Sequence, residues 1–552
     1  MRFRSALASG SISLLLTSGF VAVLVASAPP ATLMRTTQAL RTMDVMEPAP
    51  PASMEPAPPA MVQAEALRAP SSAYSMAPAV APYGSAENSE RYDGREVGSI
   101  QAVAATPVST FSVDVDTGAY ANVRRFLNQG EMPPAEAVRT EEMINYFRYD
   151  YRRPTDPNQP FSVTTNVSTT PWNRESRLLR IGLRAYDVTT AQRPRANLVF
   201  LVDVSGSMDE PDKLPLVRAA LTGLADRLRP DDRVSIIVYA SNAGMVQAPT
   251  ADKDAVKAAL DRLQAGGSTA GGEGIQLAYR TARANFMKGG INRIFLATDG
   301  DFNVGISDTK ALEALVKSNR DDGVTLTTLG FGQGNYNDAM MEHIADVGNG
   351  NYAYIDSPME AKKVLDAELS ATMVTVAKDV KIQVEFNPAK VKQYRLIGYE
   401  NRALAEEDFD NDAVDAADMG AGHQVTALYE IMPASASGWA GNRRYPANRA
   451  RVGTGGTELG FVKLRYKLPN GKTSQLVTRT LPANLMTTAT APSGDMAFVT
   501  AVAAFGQTLR GDKYLGSYSL ADARALAGSP QGFWRQEFVR LTRLADGKYR
   551  RD

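Results

Sequence analysis

Between residues 197 and 372, short apolar runs alternate with amphipathic stretches of helical period, and that alternation confines the fold to few options. Strand candidates fall at 198–202, 234–239, 293–297, 325–329 and 352–355. Between them, Val217, Leu221, Leu224 and Leu228 form one apolar stripe. Val256, Ala259, Leu260 and Leu263 form a second, and Ile275, Ala278, Ala282 and Phe286 a third. Strands alternating with such helices predict an α/β fold with a parallel sheet covered on both faces. Sheets of this kind bind ligands beyond the C-terminal ends of their strands.

The first of those strands runs directly into Asp203-Val204-Ser205-Gly206-Ser207. One carboxylate and two hydroxyls on a single turn suit a hard divalent cation, which prefers oxygen ligands. Taken alone, Ser207 also suits the cap of the helix that follows. Two later stretches point to the cation. Thr269 sits in the glycine-rich loop Gly266-Gly267-Ser268-Thr269-Ala270-Gly271-Gly272, just before a helix. Asp299 sits in Thr298-Asp299-Gly300-Asp301, just after a strand. In a parallel sheet all three stretches emerge at one edge, where they can converge.

Asp203, Ser205, Ser207, Thr269 and Asp299 together resemble the metal-ion-dependent adhesion site (MIDAS) of von Willebrand factor type A (VWA) domains, with every motif position filled. The resemblance spans about 197–372 and implies a doubly wound, Rossmann-like, mostly parallel sheet. It implies that Ser205, Ser207 and Thr269 coordinate the ion through their hydroxyls. Asp203 and Asp299 then act through water or directly, depending on state. The flanks are similar to a bacterial subgroup of VWA proteins that also carries a C-terminal domain of unknown function. Ser109-Thr110-Phe111-Ser112-Val113-Asp114-Val115-Asp116-Thr117 and Asn122-Val123-Arg124-Arg125-Phe126-Leu127 carry that likeness before the domain. The stretch from Ala421 to Glu430 carries it after.

Such a site is built to bind rather than to catalyse. Two carboxylates offset the ion's charge, the direct ligands are largely neutral hydroxyls, and one coordination position stays open. A partner protein's Asp or Glu can fill it. Oxygen ligands favour Mg²⁺, with Mn²⁺ or Ca²⁺ as substitutes. Attack by a metal-bound water needs a nearby general base, and neither histidine, His343 or His423, lies close to these motifs in sequence. No enzyme activity and no organic cofactor are expected.

The remaining chain supplies context. Arg2 and Arg4 precede an apolar stretch, 12–28, closed by Ala26-Ser27-Ala28, so residues 1–28 read as an export signal or, because Pro29 hinders cleavage, a membrane anchor. Residues 29–94 are rich in Pro and Ala and repeat Met-Glu-Pro-Ala-Pro-Pro-Ala, the composition of a disordered tether. The chain is expected outside the cytoplasmic membrane, in the periplasm or cell envelope. With 60 acidic and 60 basic residues, its charge selects no nucleic acid or anionic membrane surface as partner. With no cysteine, disulfides and thiolate chemistry are excluded.

Residues 95–190 are read as an N-terminal α+β flank, 195–372 as the VWA domain, and 377–552 as a β-rich domain ending in helices. In the first flank, helices are expected at 120–128 and 134–147 and strands at 111–115, 161–167 and 178–185. In the second, strands are expected at 380–386, 459–466 and 475–480, and helices at 494–509, 520–527 and 530–545. The strands of both flanks suit one shared β-sandwich with the VWA domain inserted, the alternative being two separate small domains.

Two other readings of function stay open. Asp114-Val115-Asp116-Thr117 after a strand hints at a metal-dependent phosphohydrolase of the haloacid dehalogenase type, with Asp114 and Asp116 in action. Against that, Asp116 or Thr117 is expected to cap the helix carrying Tyr120. The third reading is a structural module with a vestigial metal site. Asp408-Phe409-Asp410-Asn411-Asp412 begins like a calcium loop, but Ala413 and Met419 stand where its glycine and closing glutamate belong, so a solvated acidic turn is expected. Gly330-Phe331-Gly332-Gln333-Gly334 lacks the spacing of a phosphate cradle and reads as a tight turn.

Overall fold

The structure, a computed structural model, describes residues 89–113, 116–269, 271–300, 309–367, 373–439 and 456–549. The expected export segment, the tether up to residue 88, and Asp114 lie outside the described residues.

The first flank forms β1 (Gln101–Ala102), β2 (Val108–Ser112), α1 (Gly118–Gln129), α2 (Thr140–Asn145), β3 (Phe161–Thr169) and β4 (Arg177–Ala185). The central region opens with β5 (Ala196–Asp203), α3 (Leu214–Ala225), β6 (Arg233–Tyr239), β7 (Ala243–Thr250), α4 (Lys253–Asp261) and α5 (Gly271–Ala284). It continues with β8 (Ile291–Thr298), α6 (Thr309–Asp321), β9 (Thr325–Phe331), α7 (Asp338–Val347), β10 (Tyr352–Ile355) and α8 (Pro358–Ala367). The second flank brings β11 (Thr375–Phe386), β12 (Val391–Ile397), β13 (Ala403–Leu404), β14 (Met419–Gly420), β15 (Gln424–Pro433), β16 (Glu458–Lys467) and β17 (Ser474–Pro482). It closes with α9 (Asn484–Thr487), α10 (Gly494–Leu509), α11 (Leu520–Ala527) and α12 (Phe533–Tyr549).

The central sheet has the order β10-β9-β8-β5-β6-β7. All its pairings are parallel except β6 with β7. β5 lies in the middle and is buried along its whole length. Its side chains alternate between two cores, as strand geometry requires. Leu198, Phe200 and Val202 pack with Val217, Leu221 and Leu260 on one face. Val199 and Leu201 pack with Ile275, Ala278 and Leu312 on the other. This is the expected doubly wound α/β domain.

The two flanks form the expected shared sandwich. One sheet runs β1-β12-β15-β4-β3 and the other β13-β2-β11-β16-β17. β4 pairs with β15 from Gln424↔Arg184 to Ile431↔Arg177, and β2 pairs with β11. Each sheet therefore joins strands from before and after the central region, which is inserted between them. Leu179, Ile181 and Leu183 of β4 face the sandwich interior with Val384 and Tyr429. Leu178, on the opposite face, packs with Tyr120, Met143, Phe498 and Phe538 of the flank helices. One sheet thus has both faces covered.

The expected helix 134–147 is interrupted. A 3-10 turn, Ala135–Ala137, precedes α2, with Val138 and Arg139 in extended backbone between them. The extended link lets Arg139 reach Glu142 and, at 2.5 Å, Asp338 of the inserted domain. Arg402 similarly joins the sandwich to Asp116 at 3.0 Å and Glu342 at 3.2 Å. Thr117, at the N-cap of α1, makes no side-chain capping bond, and Asp116 accepts from the Tyr352 backbone N–H at 2.8 Å and from Arg402. β7 is a further departure. Its half-exposed residues lie at the sheet edge and carry no alternating pattern to announce a strand.

Candidate metal centre

β5 ends at Asp203 and the chain turns tightly through Gly206–Asp209 before α3. The Ser205 backbone N–H donates to Asp203 Oδ1 at 2.8 Å, which fixes the turn and orients the carboxylate. The Oγ atoms of Ser205 and Ser207 lie 3.1 Å apart. The neighbouring strand locks onto the same carboxylate, because Thr298 Oγ1 donates to Asp203 Oδ2 at 3.1 Å. Asp299 follows Thr298 at the end of β8 and is fully buried.

The glycine loop is stapled to this turn. Gly266 N–H donates to the Val204 carbonyl at 2.8 Å, and Gly206 N–H to the Gly267 carbonyl at 2.9 Å. Gly267 has φ +86°, and a Cβ there would stand 2.6 Å from Ser241 Oγ, so the position requires glycine. The staples carry Thr269, half-buried, to the same edge. The structure thus brings Asp203, Ser205, Ser207, Thr269 and Asp299 to the C-terminal edge of the central sheet, from three stretches of chain.

The electrostatics of this edge are unfavourable for the bare protein. Burial, with the Asp299 charge adding to it, pushes the Asp203 carboxyl up to about 6 against the bonds from Ser205. Lys213 supplies a local cation that the sequence pattern did not reveal. Its Nζ lies 3.0 Å from Asp299 Oδ2, and its side chain is 7% exposed. Its stem rests on Gly332, where φ is +72° and a Cβ would come within 2.4 Å of the lysine chain. Asn335 Nδ2 stands 3.4 Å from the same Asp299 oxygen. A lysine in a polar turn reads as solvated; only the closure of β9 and its loop onto α3 shows otherwise.

The donor set fits a hard divalent cation. Among the described residues no group of three or more His, Cys, Asp and Glu is arranged to hold a metal, so hydroxyls must complete any such shell here. Asp203 and Asp299 offset charge, and Ser205, Ser207 and Thr269 provide neutral oxygens.

The other sequence candidates lie elsewhere. Asp116 is 3% exposed and committed to Arg402 and Tyr352. Asp410 and Asp412 of the acidic turn pair with Arg465 at 3.1 and 3.0 Å. His343 pairs with Glu313 on the surface.

Residues 197–367 match the von Willebrand factor type A domain, and residues 86–180 the family described as von Willebrand factor. Residues 371–547 match the family described as "Uncharacterized protein YfbK, C-terminal". "Uncharacterized protein YfbK" of Escherichia coli (strain K12) is 48% identical over 471 residues, 83% of this chain and 81% of that protein. The chain belongs to the YfbK family. Its VWA domain is the insert that splits the sandwich. "Uncharacterized protein sll0103" of Synechocystis is 37% identical over 187 residues, 34% of this chain and 43% of that protein. Among solved structures, a von Willebrand factor type A protein from Catenulispora acidiphila is 19% identical with a TM-score of 0.39, covering 72% of this chain and 91% of that one. Proximal thread matrix protein 1 from the mussel byssus, described with a zinc-occupied MIDAS motif, is 21% identical with a TM-score of 0.28, covering 34% and 47%.

Proposed function

We propose that this YfbK-family chain is a divalent-cation-dependent protein-binding module of the bacterial cell envelope, not an enzyme. The observation that carries the reading is two buried carboxylates and the Ser205 and Ser207 hydroxyls at the C-terminal edge of β5 and β8, with the loop bearing Thr269 stapled beside them. Bound there, Mg²⁺ supplies an electrophilic position that accepts a carboxylate oxygen from a partner's Asp or Glu. Ser205, Ser207 and Thr269 hold the ion without neutralising it. Asp203, fixed by the Ser205 N–H and by Thr298, offsets its charge. Lys213 balances Asp299 and adds positive potential toward an anionic partner group.

The location rests on the sequence's charged-then-apolar start and Pro-rich tether. Among the described residues no helix is long and apolar enough to cross a membrane. The test is a pull-down from envelope extract in Mg²⁺ and in EDTA, with wild type and Asp203→Ala. Partner capture that needs both Mg²⁺ and Asp203 supports the reading. Equal capture in excess chelator contradicts it.

A further inference from the structure

A cavity of about 530 Å³ opens beside α8, the last helix of the inserted domain, where it faces flank residues following α2 and the start of α12. Its volume is ordinary for a small-molecule site. Its lining holds the aromatic rings of Tyr146, Phe147 and Trp534 and the cations Arg148, Lys362 and Lys363, with Asp366 as the one carboxylate among the described lining residues.

These cations are not equivalent. Lys363 is already accommodated. Its Nζ lies 2.9 Å from the Tyr146 ring centre and 5.6 Å from that of Trp534, with Glu360 at 3.8 Å. Burial holds it down to about 8. Arg148 is exposed to solvent and donates to the Gly422 carbonyl at 2.6 Å. Lys362 is 65% exposed and bonds Asp366 at 2.7 Å, but Asp366 is also paired with Arg227. The mouth therefore carries positive charge beyond what its own carboxylate offsets.

His423 also lines the cavity, with its Nδ1 buried away from solvent. Burial beside Arg148 keeps this imidazole neutral, pushed down to about 3, so it adds no charge to the lining. The neighbouring amides are satisfied within the protein. Asn145 serves Thr426 and Tyr399, and Gln424 serves Tyr149. Two cations not fully offset, in one lining with three aromatic rings, are groups that a flat-ringed anion completes.

We propose that this cavity binds a small organic anion carrying a flat ring, with its acid group held by Arg148 and Lys362 and its ring against Trp534. The site is separate from the metal centre. It touches Asn351, Tyr352 and Ala353, at the start of β10, whereas the metal-site residues follow the ends of the parallel strands β5 and β8. The two sites lie at opposite edges of the sheet.

The test uses the full chain and the fluorescent aromatic sulfonate 1-anilinonaphthalene-8-sulfonate, with excitation of tryptophan to read energy transfer from Trp534. One saturable site is expected. Sodium benzoate displaces the probe, and sodium chloride at equal ionic strength does not. The double variant Arg148→Ala/Lys362→Ala, altered at two exposed positions, binds the sulfonate at least tenfold more weakly. The uncharged analogue N-phenyl-1-naphthylamine binds wild type at least tenfold more weakly than the sulfonate, and the double substitution leaves its affinity unchanged. Absence of a saturable site, equal affinity of the charged and neutral probes, or an unchanged sulfonate affinity in the double variant overturns the proposal.

Discussion

Replacing Arg124 by methionine removes one guanidinium from among three carboxylates. Arg124 is 2% exposed and donates to Asp356 at 2.7 Å, to Glu360 at 2.8 Å, and to Glu537 and the Tyr146 hydroxyl at 3.0 Å each. It thereby ties α1 to the loop before α8, to α8 itself and to α12. Each ion pair has a Coulomb energy of about 4 kcal/mol at an effective dielectric of ~20, much of it offset by the cost of dehydrating the guanidinium. Methionine keeps the aliphatic stem but leaves the carboxylates uncompensated, which costs about 3–5 kcal/mol for a buried pair. Lys363, 3.8 Å from Glu360, covers part of the loss, so about 3 kcal/mol is expected at pH 7. The sign of the pH dependence follows. Burial already raises Glu537, and at Glu360 burial is overcome by Lys363 and Arg124. Without the guanidinium, Glu537 rises further and Glu360 rises from its lowered position, so the folded variant binds protons more readily than the wild type does. The variant then loses stability as pH rises and regains it toward pH 5. Urea unfolding followed by tryptophan fluorescence reads this directly, since Trp534 lies 5.4 Å from the guanidinium. A loss under about 1 kcal/mol at pH 7, or a gap that widens on acidification, would refute the reasoning.

Three further outcomes follow from the same contacts. Lys213→Met removes a cation 3.0 Å from Asp299, so isothermal titration should show Mg²⁺ binding about tenfold more tightly; unchanged affinity would mean the lysine does not sense the ion. Asp203→Ala should abolish the rise in melting temperature that Mg²⁺ gives wild type by mass action, without loss of fold; a persisting rise would place the ion elsewhere. Asp418 is pushed up to about 7 by burial against the pull of Lys378, so its folded form holds a proton that the unfolded chain releases near pH 4. Its stabilising protonation is lost as pH rises toward 7. Asp418→Asn should therefore be about 2 kcal/mol more stable than wild type at pH 8 and no more stable at pH 4, measured by urea unfolding.

What could be read in advance divides along physical lines. β5 and β8 were legible because both faces of the sheet are buried, which favours apolar runs such as Leu198 to Val202 and Ile294 to Ala297. Asp203, Ser205, Ser207, Thr269 and Asp299 could be named together because they resemble the VWA metal-site motif, and the staples at Gly266 and Gly206 bring their three stretches to one edge. β7 was hidden because an exposed edge strand needs neither alternation nor apolar content. The break between residues 137 and 140 was hidden because its cause is distant: Arg139 extends to reach Asp338, about two hundred positions along the chain. Lys213 was hidden for the same reason, since its partner Asp299 and its support Gly332 belong to other strands. The insertion itself was legible only as an expectation, from strands on either side. The pairings of β2 with β11 and β4 with β15 establish it.

The central claim is best tested by crystals of the chain soaked in Mn²⁺ and measured for anomalous scattering. The account predicts one strong peak within bonding distance of the Ser205, Ser207 and Thr269 hydroxyls, absent from Asp203→Ala crystals. No peak at that edge, or a peak that survives the substitution, would contradict it.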